Sequence, residues 1–313
     1  PAPSQPFSEV AFSRQTFEIT ERNETARRFV EEQIQDWDLR TGAPPRVGTV
    51  LLQPWYDGGA EWGGSAYDPN TNRLILNAND VPGVLELTEV PAGFSDYGFY
   101  AQHCGSCHGL DLEGTESAPA LLQIRNRLNT EAILDLLRDG RGRMPAFADF
   151  DDAERQAILR YISQTEPERD EPTDEVTYVL GGYVYLRDHE DLPGNTPPWG
   201  TLNSINLSTG AIDWAISFGN YPSHPDLGYG AVNYGGPVVT ASGLIFIAAT
   251  PDRMFRAYDT QNGELLWEAE LSAGGFSTPA IYNVQGKQFV VIAAGGGRTG
   301  PPSAADYYAF SLP

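Results

Sequence analysis

The residues with the clearest chemistry are Cys104-Gly-Ser-Cys107-His108. This spacing is the attachment pattern of a c-type haem. Two thiols three positions apart on a helical turn reach the two vinyl groups of one haem as thioethers, and the adjacent imidazole then falls on the iron. The chain holds only these two cysteines. A chance match, a redox-active cysteine pair and half a zinc site are the competing readings. A zinc site needs a second ligand pair, and no further cysteine is present. The sixth iron ligand is expected downstream, where the choice is between two methionines. Met144 lies in Gly140-Arg-Gly-Arg-Met-Pro-Ala-Phe147, between two predicted helices, and the following proline holds it extended. The alternative is an exposed loop methionine, with water or histidine on the iron. Met254 falls in a predicted strand and reads as packing. His103 neighbours the motif but points elsewhere on the turn and reads as surface. A methionine opposite a histidine raises the haem potential, as an electron acceptor requires.

These residues need helices to position them, and residues 95–165 supply helical runs. Thr130–Arg138 places Ile133, Leu134, Leu136 and Leu137 along one broad face, with Thr130 as the expected N-cap. Asp152–Ile162 repeats the pattern. Residues 164–176 are charged and proline-bearing, and read as a linker. Upstream, residues 1–45 read as an arm, a short amphipathic helix near Glu21–Trp37, and a second arm. Val47–Gln53 reads as a strand. Gly63–Asp68 and Arg73–Asn79 read as a hairpin around Pro69-Asn70-Thr71-Asn72, residues that tolerate turn geometry.

Strands return from about residue 178, with an internal repeat. Ser204-Ile-Asn-Leu-Ser-Thr-Gly-Ala-Ile-Asp-Trp214 matches Ala257-Tyr-Asp-Thr-Gln-Asn-Gly-Glu-Leu-Leu-Trp267 at a spacing of 53 residues. Strand-rich repeats of this length mark a β-propeller. The glycine is expected to make the outer hairpin of each blade, and the tryptophan to pack flat on the neighbouring blade. Two unrelated hairpins with similar turns are the alternative. Residues 237–270 make one four-stranded blade and 277–312 give three strands of another. A third blade takes its first strands from 63–79 and its last two from 201–216. The helical region is thus expected as a graft inside one blade. The organisation expected is an N-terminal arm and first propeller strands (1–80), an inserted domain with linkers (81–177) and C-terminal blades (178–313). The fold class is mainly β, a partial propeller of about three blades with an inserted α-helical domain. Three blades do not close a ring, and open blade faces expose apolar surface. Another chain or segment is therefore expected to supply the rest.

The composition agrees. Glycine (33), proline (24), tyrosine (15) and phenylalanine (14) favour short strands and turns in this chain of 313 residues. The net charge of −22 repels nucleic acid and anionic lipid heads. Nearly all cations are arginine, Lys287 being the single lysine. No apolar stretch is long enough to span a membrane, and the start Pro1-Ala2-Pro3-Ser4 has no signal-peptide pattern. Haem attachment occurs outside the bacterial cytoplasm. A periplasmic location is therefore expected, with the chain a processed or downstream piece of a larger product.

Residues 93–165 resemble class I cytochrome c, through Tyr100, Cys104, Cys107, His108, Gly109, Leu112, Gly114, Pro119, Leu121 and Met144-Pro145. The resemblance implies Cys104 and Cys107 as haem thioethers, His108 and Met144 as iron ligands, and Pro119 packed near the proximal histidine. The remainder resembles the C-terminal part of pyrroloquinoline quinone (PQQ)-dependent dehydrogenases of the membrane glucose dehydrogenase type. That likeness rests on Gln5-Pro-Phe-Ser8, Gly58–Gly64, Asn77-Ala-Asn79, Pro198–Asn203, Gly235–Pro237, Ile245–Thr250, Arg256–Asp259, Ala273–Gly275 and Val290–Gly296.

That family has eight blades around a central funnel holding PQQ. Its catalytic aspartate, neighbouring lysine and most metal ligands, including those for a Ca²⁺ ion, fall upstream of the phrase matching Gln5–Ser8. The catalytic residues of this chain are thus unknown and expected on a partner portion. Trp62, Asn79 and Asp252 fall where the family has residues near the quinone or substrate. The alternatives are a blade-packing tryptophan, a strand-end cap and a turn former. The implied function is the haem-bearing portion of a quinohaemoprotein dehydrogenase. It would oxidise an alcohol or sugar with PQQ and pass electrons through haem c to an external acceptor, such as a soluble cytochrome or quinone. The competing readings are an electron-transfer cytochrome on a non-catalytic propeller scaffold and a propeller interaction module.

Overall fold

The computed structural model describes residues 14, 16–37, 39, 46–55, 59–60, 62–115, 118–170, 175–297 and 300–311. The phrase Gln5-Pro-Phe-Ser8 lies outside the described residues, as do Gly58 and Glu61 of the Gly58–Gly64 phrase. In chain order the elements are α1 (Glu24–Ile34), β1 (Gly48–Leu52), β2 (Ala66–Asp68), β3 (Arg73–Asn79), β4 (Gly83–Pro91), α2 (Asp96–Tyr100), α3 (Ser106–His108), α4 (Thr130–Asp139) and α5 (Asp152–Ile162). Then follow β5 (Val176–Tyr185), β6 (Gly200–Asn206), β7 (Ile212–Ser217), β8 (Val238–Val239), β9 (Leu244–Ile247) and β10 (Met254–Asp259). The last strands are β11 (Leu265–Glu270), β12 (Ala280–Val284), β13 (Lys287–Gly297) and β14 (Gly300–Phe310). The chain forms two compact units, one of Pro1–Gln35, Gln53–Pro82 and Leu186–Pro313, the other of Asp36–Leu52 and Gly83–Tyr185.

The first unit contains three antiparallel sheets, in the orders β2-β3-β6-β7, β8-β9-β10-β11 and β12-β13-β14. Strand β3 pairs with β6 from Arg73↔Asn206 to Asn79↔Gly200, so one sheet is completed across the long intervening segment. Ile75, Leu202, Ile245, Ile247 and Tyr258 form the apolar layer between the first and second sheets. Phe255, Leu271, Val290, Ile292 and Ala294 form the layer between the second and third.

The 53-residue repeat has a structural counterpart at each position. Trp214 pairs with Ser204 and Trp267 with Ala257, each beside a bulge one residue later. The Gly210 N–H donates to Asn206 O at 2.7 Å, and the Gly263 N–H to Asp259 O at 3.0 Å. Both glycines have positive φ, 77° and 72°. The two tryptophans differ. Trp214 covers the neighbouring blade as expected: a Cβ on Gly263 would stand 2.9 Å from its Cε3, and its Nε1 donates to Thr260 O at 3.1 Å. Trp267 instead meets Phe255 and Phe310 edge-on, at 84° and 72°.

The second unit contains the helices and a three-stranded sheet, β1-β4-β5. Its boundaries differ from those expected. Strand β1 pairs with β4 along its whole length, so 48–52 belongs here and not with the first propeller strands. Strand β5 pairs with β4 from Pro91↔Val176 to Gly83↔Tyr185, which carries the unit to Tyr185. Val90 and Val179 from this ribbon pack into the same core as Tyr97, Tyr100, Leu112, Ile133, Leu137, Ile158 and Tyr161. The N-cap of α4 is Asn129, whose Oδ1 accepts from the Ala132 N–H at 2.8 Å; Thr130 is the first helical residue. Asn129 precedes Thr130 in extended conformation, and asparagine is a strong cap. Helix α5 opens with a reciprocal capping box between Asp151 and Glu154.

Candidate functional site

The candidate attachment residues occupy one short continuous turn. A π-helical turn, Ala101–Gly105, carries Cys104 and runs directly into α3 with Cys107 and His108. Such turns are rare and recur at functional positions. Both cysteines are free thiols. Burial pushes the Cys104 thiol up to about 12, with Cys107 nearby as a smaller cause. A redox-active pair needs a lowered pKa, so this environment speaks against that reading and suits an uncharged thioether. Among the described residues, no group of three or more His, Cys, Asp or Glu is placed to hold a metal ion. The zinc reading therefore lacks its remaining ligands.

His108 is held from one side. Its Nδ1 lies 2.8 Å from Pro119 O, so this nitrogen is the donor and Nε2 carries the lone pair that a metal could take. Pro119 is thus placed as the cytochrome resemblance implies. The segment after His108 is clamped by two buried tyrosines. Tyr100 Oη donates to Gly109 O at 2.7 Å, and Tyr161 Oη to Leu110 O at 2.8 Å. Burial raises both phenol pKa values above their ordinary range, so both remain donors. Thr115 Oγ1 donates to Cys107 O at 2.6 Å. Tyr161 and Thr115 escaped the sequence reading. Tyr161 lies on α5, 51 residues from its partner, and only the helix packing brings it back.

Met144 closes a tight turn. Its N–H donates to Arg141 O at 3.1 Å and its carbonyl accepts from the Arg141 N–H at 3.0 Å. Its side chain packs partly buried against the core that holds Cys104. The four residues therefore fit a covalent haem: two thiols and an oriented imidazole on one turn, with a thioether packed against the core that contains Cys104. His103 is exposed, as expected, and lies against Phe99 at 4.4 Å between centroids. Met254 begins β10 and is partly buried.

The quinone candidates lie in the other unit. Trp62 lies before β2, Asn79 is the last residue of β3 and Asp252 lies between β9 and β10, all at the same end of their sheets. Hydrogen bonds link these segments in series. The Asn79 N–H donates to Gly59 O at 2.7 Å. Asn79 Nδ2 donates to Asn233 O at 2.9 Å, and its Oδ1 accepts from the Asn233 N–H at 2.8 Å. The Tyr234 N–H then donates to Ala249 O at 2.8 Å, and the Ala249 N–H to Gly275 O at 2.8 Å.

Each candidate has a definite environment. Trp62 is 69% exposed, on a loop fixed by its neighbour. A Cβ on Gly63 would overlap the main chain of Gly235 and Gly236, and Gly63 O accepts from Thr278 Oγ1 at 2.9 Å. An open indole face on a fixed loop fits a planar ligand. Asn79 is buried, with its amide engaged on Asn233. Asp252 forms a 2.6 Å pair with buried Arg256 and accepts from Thr250 Oγ1 at 2.6 Å and the Asn220 N–H at 2.9 Å. It also accepts from the Met254 N–H at 3.2 Å, the turn-forming contact weighed as its alternative role. Arg253 is committed to Glu270. Among the described residues next to Asp252, then, the arginines are spent on carboxylates, and Trp62 offers an aromatic surface that fits a wall of a quinone site. Asn77, in the same polar layer, leaves its Oδ1 buried without a partner while its Nδ2 donates to Asn233 Oδ1 at 2.6 Å.

Comparison with known proteins agrees with both halves. The family model for the β-propeller domain of glucose/ethanol/alcohol (PQQ) dehydrogenases matches residues 1–118 and 142–290. The model for cytochrome c oxidase, cbb3-type, subunit III matches residues 97–162. The quinoprotein glucose dehydrogenase of Escherichia coli (strain K12) is 40% identical over 328 aligned residues, which cover 99% of this chain and 33% of that protein. The glycerol dehydrogenase large subunit of Gluconobacter oxydans (strain 621H) is 27% identical, over 81% of this chain and 28% of the relative. Among solved structures, the quinohemoprotein alcohol dehydrogenase from Comamonas testosteroni aligns with a TM-score of 0.45 at 17% identity, covering 84% of this chain and 27% of the other. The chain spans a third or less of the length of these relatives. The family match over most of the chain and the cytochrome match within it place this chain in the PQQ-dependent dehydrogenase β-propeller family, with a cytochrome c domain set between two strands of one blade.

Proposed function

We propose that this chain is the haem-bearing portion of a quinohaemoprotein dehydrogenase that oxidises an alcohol or sugar and delivers the electrons to an external acceptor. One observation carries the reading: an oriented His108, beside two free thiols, lies in a segment inserted between β3 and β6 of a quinoprotein blade. When bound, PQQ supplies two-electron oxidation and haem c one-electron relay. Cys104 and Cys107 hold the haem as thioethers, and Pro119 fixes the tautomer that leaves His108 Nε2 as ligand. Met144 would offer its thioether to the iron, which would favour a high potential. Trp62 is the planar wall on the quinone side, and Asn79 and Asp252 hold the connections behind it. A further polypeptide segment supplies the remaining blades, the catalytic aspartate and lysine, and a Ca²⁺ site. The working location is the periplasm. No helix among the described residues is long and apolar enough to cross a membrane.

The test is optical. The air-oxidised protein, purified with its partner chains, is mixed with sugars, polyols and alcohols in the presence of PQQ and Ca²⁺, with dithionite as control. Growth of the reduced haem α-band with one substrate class is the expected result. Haem that dithionite reduces and every substrate leaves oxidised would instead identify an electron carrier on a propeller scaffold.

A further inference from the structure

Five rings form a continuous patch on the cytochrome unit, and nothing above gives it a task. Phe94 lies 5.4 Å from Phe99, Phe99 lies 4.4 Å from His103 and 5.1 Å from Phe150, and Phe147 stacks on Phe150 at 5.0 Å. His103 also meets Phe150 at 5.0 Å. One side of the patch adjoins the candidate haem residues: Phe147, Phe150 and Met144 pack against the core that contains Cys104, and His103 directly precedes Cys104. The other side meets water, with Phe94 59% exposed and His103 exposed. Exposed rings at a redox centre call for an occupant.

The rim of the patch is acidic. Asp149, Asp151 and Asp152 flank Phe150 and are all exposed. Asp96 lies two residues from Phe94 in the chain, and Asp170 accepts from Ser95 Oγ, the residue after Phe94. Arg160 and Arg155 answer Asp96 and Asp152, which leaves the rim net negative. An aromatic centre inside a charged rim is the anatomy of a transient interface, and the sign of the rim selects the partner.

Building on the haem reading, we propose that this patch is the docking surface for a basic redox protein whose apolar centre is ringed by lysine or arginine. One electron leaves the ferrous haem, which becomes ferric, and the partner's metal centre is reduced by one; no proton moves and no bond forms. The acidic rim speeds the encounter and the rings give close contact at the haem edge.

The experiment uses the dithionite-reduced, desalted full chain and follows loss of the haem α-band in stopped flow. The probes are the tris-phenanthroline complex of cobalt(III), a trivalent aromatic cation, and ferricyanide, a trivalent anion. Three variants are compared: Asp149→Lys, Phe94→Ser, and Glu264→Lys on the β10–β11 turn of the other unit, which makes the same change in net charge. The α-band of each variant before mixing separates a failure of the haem reading from a failure of this one. The expected result is at least about a fivefold loss of the cobalt rate for Asp149→Lys and less than about twofold for Glu264→Lys, with the ferricyanide rate rising for Asp149→Lys. Phe94→Ser lowers the cobalt rate with its salt dependence unchanged. Equal effects of the two lysine variants, or a Phe94→Ser rate equal to the parent's, would overturn the proposal.

Discussion

The two units hold their candidate cofactor residues in different ways. In the cytochrome unit the two thiols, the imidazole and the proline carbonyl fall within residues 104–119, and local turns set most of their geometry. In the propeller unit Trp62, Asn79 and Asp252 sit on separate segments, held by contacts such as the Asn79 amide with the Asn233 main chain and Tyr234 N–H with Ala249 O. The first arrangement is a motif presented by a small core. The second exists only once several sheets have stacked. The difference teaches where damage is felt: a change in the motif removes a cofactor from a folded chain, and a change between sheets loosens a site without touching its named residues.

Substitutions at named residues separate the two arrangements. Replacing Cys104 and Cys107 with serine abolishes covalent haem, seen as loss of the haem band that survives acid extraction, while propeller stability by tryptophan fluorescence is kept. Haem that stays covalently attached would sink the attachment reading. Trp214→Ala opens the first interface, and the unit loses about 3 kcal/mol in urea unfolding, with the haem spectrum unmoved. Asp252→Ala leaves Arg256 buried with only Glu268, 3.4 Å away, as a counter-charge; a loss of about 3 kcal/mol is expected. An unchanged stability with lost PQQ binding would instead make Asp252 a site residue. Tyr100→Phe removes one buried hydrogen bond to Gly109 O and costs about 1 kcal/mol, with a haem unit that melts earlier but binds haem.

The smallest effect is a pH dependence. Arg22 beside Glu190 holds that carboxyl below its ordinary value, with His189 and His224 as lesser causes. A carboxylate with a lowered folded pKa adds stability that is present above its unfolded pKa and lost as pH falls through the folded one. The stability gap between parent and Arg22→Gln is therefore expected to be constant near neutrality and to shrink on acidification below about pH 4.5. A gap that widens in acid would contradict the pairing.

Much of the molecule was legible beforehand, for physical reasons that differ by region. The hairpin repeat could be read because each turn needs a glycine at positive φ four residues past an Asn or Asp, so the spacing of side chains reports the backbone. Strand β1 was misplaced because Gly48–Leu52 is an apolar run, and such a run says strand without saying which sheet it joins. The cap of α4 slipped by one residue because Asn129 and Thr130 are both competent caps, and the backbone decides between them.

By itself the sequence determined the haem chemistry, the propeller repeat and the insertion of one domain in a blade, since each is written in residue types at short, fixed spacing. The tertiary structure decided what spacing does not encode. It set Tyr161 on the carbonyl of Leu110, committed Asp252 to Arg256, left Trp62 open on a loop held at Gly63, and joined exposed Phe94 and His103 through buried Phe99 and half-buried Phe150. Contacts between residues far apart in the chain depend on how faces pack, and packing is a property of the folded chain as a whole.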